Sequence, residues 1–260
     1  MARLGFVIVL AVISILLVAC LYTKIARREI IPKIIHQTHA LPFHALPVRM
    51  KNAIDSWRHM NPEYEHRYYS DFQMDQICMT STYPQLSQAY AQLQRIHPSK
   101  GAMRADLFRL LIMYKHGGVY VDVDVTPKRP LRTIIQESDE FVSGIGQRKD
   151  LHQWIIIACP KHPFIKVALN AVIQSALRGT TDKRLTGYGV EGLTGPPIYN
   201  IAIQDHTSNK LIMTPGSHTC AGVRYRLLDG DYLGNTMTFK YDGYGDDLKT
   251  LGLRHWSAAP

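Results

Sequence analysis

The segment Val119-Tyr120-Val121-Asp122-Val123-Asp124-Val125 alternates valine with Tyr120, Asp122 and Asp124. Read as a strand, it sends the three polar side chains to one face and the four valines to the other. Two carboxylates about 7 Å apart on one face are costly unless a cation lies between or beyond them. Carboxylate oxygens are hard donors suited to Mg2+ or Mn2+, and a diphosphate commonly completes such a coordination sphere. The same pattern also serves a solvated edge strand with two exposed acids. Just upstream, Arg104, Asp106 and Arg109 share one helical pattern, with Asp106 and Arg109 three residues apart and so neighbours on one face. They form either a charged edge turned to a ligand or a solvated face with an internal ion pair worth roughly a few tenths of a kcal/mol.

These residues need elements to hold them. Ile30-Ile31-Pro32-Lys33-Ile34-Ile35-His36-Gln37 is a β-branched run that predicts a buried first strand, with Pro32 at its start, where no ladder donor is needed. Met50–Met60 predicts a helix stopped by the Asn61-Pro62 turn, and Glu65–Tyr69 a second strand. Gln73–Ile96 is helical in pattern with an interruption at Tyr83-Pro84. Ser99 is placed to cap a helix over 102–116 whose Met103, Leu107, Leu110, Leu111 and Tyr114 share a face, and Gly117-Gly118 supplies its stop. The aspartate strand follows at once. Phe141–Gly144 and Trp154–Ala158 read as further strands and Pro163–Leu177 as a helix. Gly179–Pro197, rich in Gly, Thr and Pro, is too long for a plain connector and suggests a binding or closing loop. The C-terminal part, with Asp229-Gly230 and Asp242-Gly243, suggests short strands and turns. Helices alternating with apolar strands predict an α/β layered fold with a largely parallel sheet, whose ligands sit beyond the carboxyl ends of the strands.

The chain has 260 residues, 46% hydrophobic and 20% charged, which excludes a disordered, collagenous or disulfide-stapled protein. Its net charge of +9 is partly terminal, because Arg3, Lys24, Arg27, Arg28 and Lys33 face only Glu29 in residues 1–33. The scattered remainder suits a phosphate-bearing ligand or an acidic membrane surface and lacks the Lys/Arg block of a nucleic-acid footprint. Leu4 to Tyr22 carries no charge and is nearly long enough to cross a membrane. It predicts an anchor over 1–23, a basic stalk over 24–30 and one catalytic-size domain over 31–260. A cleaved signal peptide or a lipoprotein site at Leu17-Val18-Ala19-Cys20 is the alternative for this segment. The basic residues after the anchor, the absence of any Asn-x-Ser/Thr acceptor and the odd set Cys78, Cys159 and Cys220 favour a cytosolic domain.

Four ordered stretches, Ile31 to Thr38, Asn61-Pro62-Glu63-Tyr64, Arg104 to Arg109 and Tyr114 to Asp124, resemble the successive motifs of glycosyltransferase family 32. That group contains initiation-type α-1,6-mannosyltransferases and inositol-phosphoceramide mannosyltransferases. The resemblance runs from 31 to 131 and continues more thinly at Cys159 to Phe164 and at Thr194-Gly195-Pro196.

The resemblance implies a GT-A type nucleotide-diphospho-sugar transferase fold, with a mixed, mainly parallel sheet, helices on both faces and one N-terminal transmembrane helix. It implies a divalent cation, Mn2+ or Mg2+, and transfer with retention of configuration. Carried over by position, Asp124 would bind the metal, and Asp122 would touch the metal or the donor's ribose and sugar. Asp106 and Arg109 would hold the donor sugar, Tyr120 would line the ribose pocket, and Arg104 stands in the same motif. The strand end at His36-Gln37 would lie beside the nucleotide, with Trp57 near the base. The family closes its donor site with a His and a terminal Trp; His255-Trp256 is the nearest match here, so His255 is a candidate metal ligand. The expected donor is a nucleotide sugar, GDP-mannose first with UDP-glucose and UDP-galactose open, and the acceptor a glycan or glycolipid. The family arrangement places the catalytic domain in the Golgi or ER lumen, against the flanking charges. An anchored sugar-binding module without turnover and a metal-assisted hydrolase are the other classes, the latter wanting more clustered ligands than the sequence offers.

Overall fold

The computed structural model describes residues 30–96, 101–146, 148–180, 182–228 and 235–253. The apolar segment 4–22, the cap at Ser99 and His255-Trp256 lie outside these residues. Among the described residues no helix is long and apolar enough to cross a membrane.

In chain order, strand β1 (Ile34–His39) leads to helix α1 (Val48–Met60), strand β2 (Glu65–Ser70), helix α2 (Asp71–Met79) and helix α3 (Leu86–Ile96). Helix α4 (Gly101–His116) feeds strand β3 (Gly118–Val121), followed by β4 (Val125–Pro127), β5 (Phe141–Gly144) and β6 (Ile155–Ala158). Helix α5 (Pro163–Arg178), the short α6 (Val190–Thr194) and α7 (Pro196–His206) come next, then β7 (Gly216–Cys220), β8 (Val223–Leu228), β9 (Met237–Phe239) and α8 (Tyr244–Thr250).

Seven strands form one sheet in the order β2-β1-β3-β6-β5-β8-β7. The pairs β1–β2, β1–β3 and β5–β8 are parallel, whereas β3–β6, β5–β6 and β7–β8 are antiparallel, so β6 and β7 alone run against the rest. The α/β fold is therefore a mixed sheet whose strands run mostly one way. Its two faces are covered unequally. One face, with Tyr120, Ile156, Phe141 and Leu227, packs against apolar side chains of α2, α3, α4, α5 and α7. The other, with Ile35, Val119, Val121, Ile155 and Ile157, is closed by Trp57 of α1, Leu131, Ile134 and Met237.

The expected one-faced helix over 102–116 is buried nearly all round, from Leu107 through Met113, because it is wedged between the sheet and neighbouring helices. The turn leaving it needs glycine twice. Gly117 (φ 64°) and Gly118 (φ 97°) are left-handed, and a Cβ on Gly118 would lie 2.4 Å from the Ile34 carbonyl oxygen. Parallel pairing of β3 with β1 thus demands a bare backbone here.

The strand expected over 119–125 stops at Val121. Asp122 to Asp124 form a turn in which Val125 N–H donates to the Asp122 carbonyl at 3.2 Å, and the chain resumes as β4 against β9. Val123 leaves the sheet core and packs with Met50, Ile54 and Tyr241. The two aspartates therefore flank a turn at the carboxyl end of β3, instead of lining one face of a strand.

Candidate active site

The turn at the end of β3 receives a charged network from α4. Arg109 Nη2 lies 3.3 Å from Asp106 Oδ1 and 3.3 Å from Asp122 Oδ1, its Nη1 donates to the Gln153 carbonyl at 3.0 Å, and its guanidinium stands 4.8 Å from the Tyr120 ring centre. Tyr120 Oη donates to Asp122 Oδ1 at 2.8 Å. Behind this layer, Thr194 Oγ1 donates to Asp106 Oδ2 at 2.9 Å, and Gln153 Nε2 donates to the Thr194 carbonyl at 3.1 Å. The loop expected over 179–197 holds α6, whose last residue is Thr194, so it reaches the site through one hydroxyl.

Burial sets the protonation states. Asp106 keeps 14% exposure of its side chain, and burial pushes its pKa up to about 7 against the pull of Arg109 and Thr194. Asp124 is likewise raised to about 7, first by burial and then by the neighbouring Asp122 charge. Burial opposes the charge on Arg109, yet Asp122, Tyr120, Asp106 and Asp124 around it hold the guanidinium above its ordinary value. The Tyr120 hydroxyl is raised well above the phenol range by burial, so it stays a donor to Asp122.

The C-terminal segment closes the other side. Tyr241 N–H donates to the Asp124 carbonyl at 3.0 Å, and its hydroxyl donates to Asp247 Oδ2 at 2.7 Å. Burial raises the Tyr244 hydroxyl, with Asp124 and Asp122 adding to the shift, which places it in their field. Lys240 contributes the nearby positive charge felt by Asp124.

Three buried atoms of this network, Arg109 Nε, Gln153 Oε1 and Asp124 Oδ1, have no hydrogen-bond partner among the described residues, and Asp124 Oδ1 alone of the three is a carboxylate oxygen. A desolvated carboxylate oxygen in that state is destabilised as an anion and suits a hard cation. No third His, Cys, Asp or Glu joins the pair as a complete protein-built metal cluster among the described residues. The donor set therefore fits a cation that takes its remaining ligands from phosphate oxygens and water.

The structure brings Asp106, Arg109, Tyr120, Asp122 and Asp124 together and places other expected site residues elsewhere. Arg104, expected among the donor contacts, instead pairs with Asp71 at 2.9 Å and Asp75 at 3.3 Å. His36, expected beside the nucleotide, is fully buried with its ring nitrogens 3.0 Å from Tyr69 Oη and 3.1 Å from the Gly117 carbonyl, and burial lowers its pKa to about 3. Gln37 is buried with Oε1 2.7 Å from His66 Nε2. Trp57 is buried and donates Nε1–H to the Val125 carbonyl at 2.8 Å, bracing the turn from beneath. Sequence reasoning missed Gln153, Tyr241 and Tyr244. Thr194 had a signal in its Thr-Gly-Pro triplet, but nothing local marks Tyr241 or Tyr244, which pairing of β4 with β9 delivers.

Residues 47–141 match the family described as "Glycosyltransferase sugar-binding region containing DXD motif". The matched segment holds the whole Asp106, Arg109, Asp122 and Asp124 constellation. That stretch resembles a DXD glycosyltransferase region. The chain is similar to the initiation-specific alpha-1,6-mannosyltransferase of Schizosaccharomyces pombe, 28% identical over 200 residues, or 68% of this chain and 48% of that protein. The Candida albicans protein of the same name is 27% identical over 198 residues, covering 64% and 50%. Inositol phosphoceramide mannosyltransferase 1 of S. pombe is 26% identical over 144 residues, covering 55% and 43%. The chain spans about half the length of the first two. Among solved structures, PaToxG glycosyltransferase superposes with TM-score 0.51 at 19% identity, covering 69% of this chain and 70% of that one. The UDP-bound glycosyltransferase domain of the YGT toxin gives 0.50 at 9% identity, covering 84% and 82%. At such identities the likeness is one of fold: the chain has a GT-A-like α/β scaffold.

Proposed function

We propose that this protein transfers a hexose, mannose first, from a nucleotide-diphospho-sugar to a glycan or glycolipid acceptor with retention of configuration. The observation that supports this reading most is the pair Asp122 and Asp124 at the carboxyl end of β3, within the family-matched segment, with Asp124 Oδ1 buried and unpartnered among the described residues. In this reading Asp124 and Asp122 hold a divalent cation, Mn2+ or Mg2+, which when bound supplies Lewis-acid neutralisation of charge on the departing diphosphate. Arg109 is fixed by Asp106 and the Gln153 carbonyl, so it presents a preorganised cation and two hydrogen-bonded carboxylates to the sugar and pays no reorganisation during reaction. Tyr120 keeps Asp122 oriented through a proton it does not release. The bond from C1 to the phosphate oxygen breaks as the acceptor oxygen bonds to C1, and the acceptor hydroxyl proton passes to the departing phosphate oxygen.

The mannosyltransferase names of the relatives support GDP-mannose as the donor. The proposed arrangement is a single-pass anchor over residues 4–22, a stalk over 24–30 and a domain over 31–260 facing the Golgi or ER lumen, which protease protection of sealed microsomes tests directly. Nucleotide-diphosphate release tests the chemistry. Incubation with GDP-mannose, UDP-glucose, UDP-galactose and UDP-N-acetylglucosamine, with Mn2+ or EDTA, is expected to give cation-dependent release from GDP-mannose. Release unaffected by EDTA and by Asp124→Asn would remove the cation and Asp124 from the mechanism.

A further inference from the structure

The aspartate turn has an aromatic flank that the proposed chemistry does not use. Trp154 closes that side, its carbonyl accepting Asp122 N–H at 3.0 Å. Its ring lies 5.0 Å from His152 and 5.2 Å from Phe239, centre to centre, with planes tilted by 31° and 44°. Phe239 pairs with Val125 in the β4–β9 ribbon, one residue beyond Asp124, and is 43% exposed. Lys240 Nζ stands 5.5 Å from the Phe239 ring centre, and its backbone is left-handed at φ 56°. The Tyr241 N–H bond to Asp124 and the ribbon pairing fix the chain on both sides of Lys240.

An exposed phenylalanine at a ribbon end adds little to the core and leaves apolar surface in water beside a charged site. Its flanking ring, Trp154, is partly buried, so the pair presents an aromatic face with a polar rim from His152 and Lys240. We propose that Trp154 and Phe239 form the acceptor subsite, a platform on which a pyranose ring of a glycan acceptor stacks; this rests on the glycosyltransferase reading above. The C–H face of a pyranose carries partial positive charge and packs on the negative face of an aromatic ring, while its hydroxyls reach polar groups at the rim. A nucleobase fits this position less well. It is held away from the leaving diphosphate by a ribose, whereas Trp154 and Phe239 adjoin the two aspartates through the main chain. In the reading above, a pyranose stacked there would lie beside the aspartate turn assigned to the diphosphate, the side from which an incoming hydroxyl is needed.

The test is binding of fluorescently labelled manno- and gluco-oligosaccharides to the full chain, read by anisotropy, in parallel with binding of GDP-mannose and nucleotide-diphosphate release. Phe239→Ala is expected to weaken oligosaccharide binding at least tenfold, Phe239→Tyr to restore it to within threefold, and the loss to fall on the oligosaccharide and not on the nucleotide sugar. Binding of every oligosaccharide at wild-type strength by Phe239→Ala, or absence of oligosaccharide binding to the wild type, overturns the subsite. A loss confined to the nucleotide sugar assigns the rings to the base and overturns it too. If the wild type binds oligosaccharide through Phe239 but releases nucleotide from no donor, the platform stands and the transferase reading falls; release with a Phe239-independent acceptor does the reverse.

Discussion

Helix α4 carries two arginines five residues apart, and each gathers two aspartates, a tyrosine and an amide. Arg104 binds Asp71 and Asp75, with Tyr90 Oη and Gln94 Nε2 completing Asp75 at 2.5 and 3.0 Å. Arg109 binds Asp106 and Asp122, with Tyr120, Thr194 and Gln153 around them. The ingredients match, yet the consequences differ. The Arg104 set joins α2, α3 and α4, and its carboxylates are 29% and 39% exposed, so water tempers their charge. The Arg109 set lies against a turn where Asp124 keeps a buried oxygen without a partner among the described residues. Composition does not separate the two clusters; what differs is that, among the described residues, the Arg109 set borders a carboxylate oxygen left unsatisfied.

Substitutions at the two clusters should split along that line. Asp124→Asn is expected to cost at least about 3 kcal/mol of transition-state stabilisation, on the order of 10²-fold or more in rate. It should also leave thermal unfolding at pH 8 unchanged or higher, since it removes a buried charge, and calorimetry beside the release assay reads both. A fall in melting temperature matching the loss of rate would make Asp124 structural and erase the contrast. Gly118→Ala should cost about 2–4 kcal/mol of stability, because left-handed φ and the Ile34 carbonyl both oppose a Cβ, and urea titration measures it. Arg104→Gln should cost about 1–3 kcal/mol in the same titration while leaving kcat within about threefold. An activity loss as large as that of Arg109→Gln would merge the two clusters.

Proton linkage sharpens the comparison further. Asp106, held near pKa 7 when folded against an ordinary value of 3.8, binds more protons in the folded state between those limits. Its contribution to stability is present below about pH 4 and lost as pH rises through 7, so unfolding free energy should decline from pH 5 to 8. Asp106→Asn should flatten that decline by about 1–2 kcal/mol, the side chain being slightly exposed and paired with Arg109. A slope identical to that of the wild type would mean that Asp106 stays ionised throughout. The smallest expected effect is at Thr194→Ala, about 0.5–1.5 kcal/mol of stability from one hydroxyl donated to Asp106.

Local pattern reached part of this arrangement. Helix α1 and strand β2 follow from periodicity bounded by Asn61-Pro62, and the two-glycine stop before β3 is written in the chain itself. The proximity of Asp106, Arg109 and Asp122 is legible because a single helix-to-strand turn joins them. Asp122 and Asp124 were harder to read, since alternation with valine suits a strand, yet Val123 finds a better apolar partner in Met50 and Ile54 and pulls the backbone into a turn. The pairing of Arg104 with Asp71 and Asp75 had no signal, because helical spacing gives a face and not the elements packed on it. Tyr241, Tyr244 and Phe239 had no local signal at all. Their position depends on β4 finding β9 across nearly half the chain.

That distant pairing has a consequence for how the protein comes into being. Chains are made from the N-terminus at about 5–20 residues per second, and pairings between remote segments form late. The first half of the sheet, with its arginine and both aspartates, can order while β9 is still unmade. Until the Tyr241 amide reaches the Asp124 carbonyl, the turn lacks its last brace and Phe239 its place beside Trp154. The arrangement described around Asp124 is therefore complete only once the chain has been made as far as Tyr241.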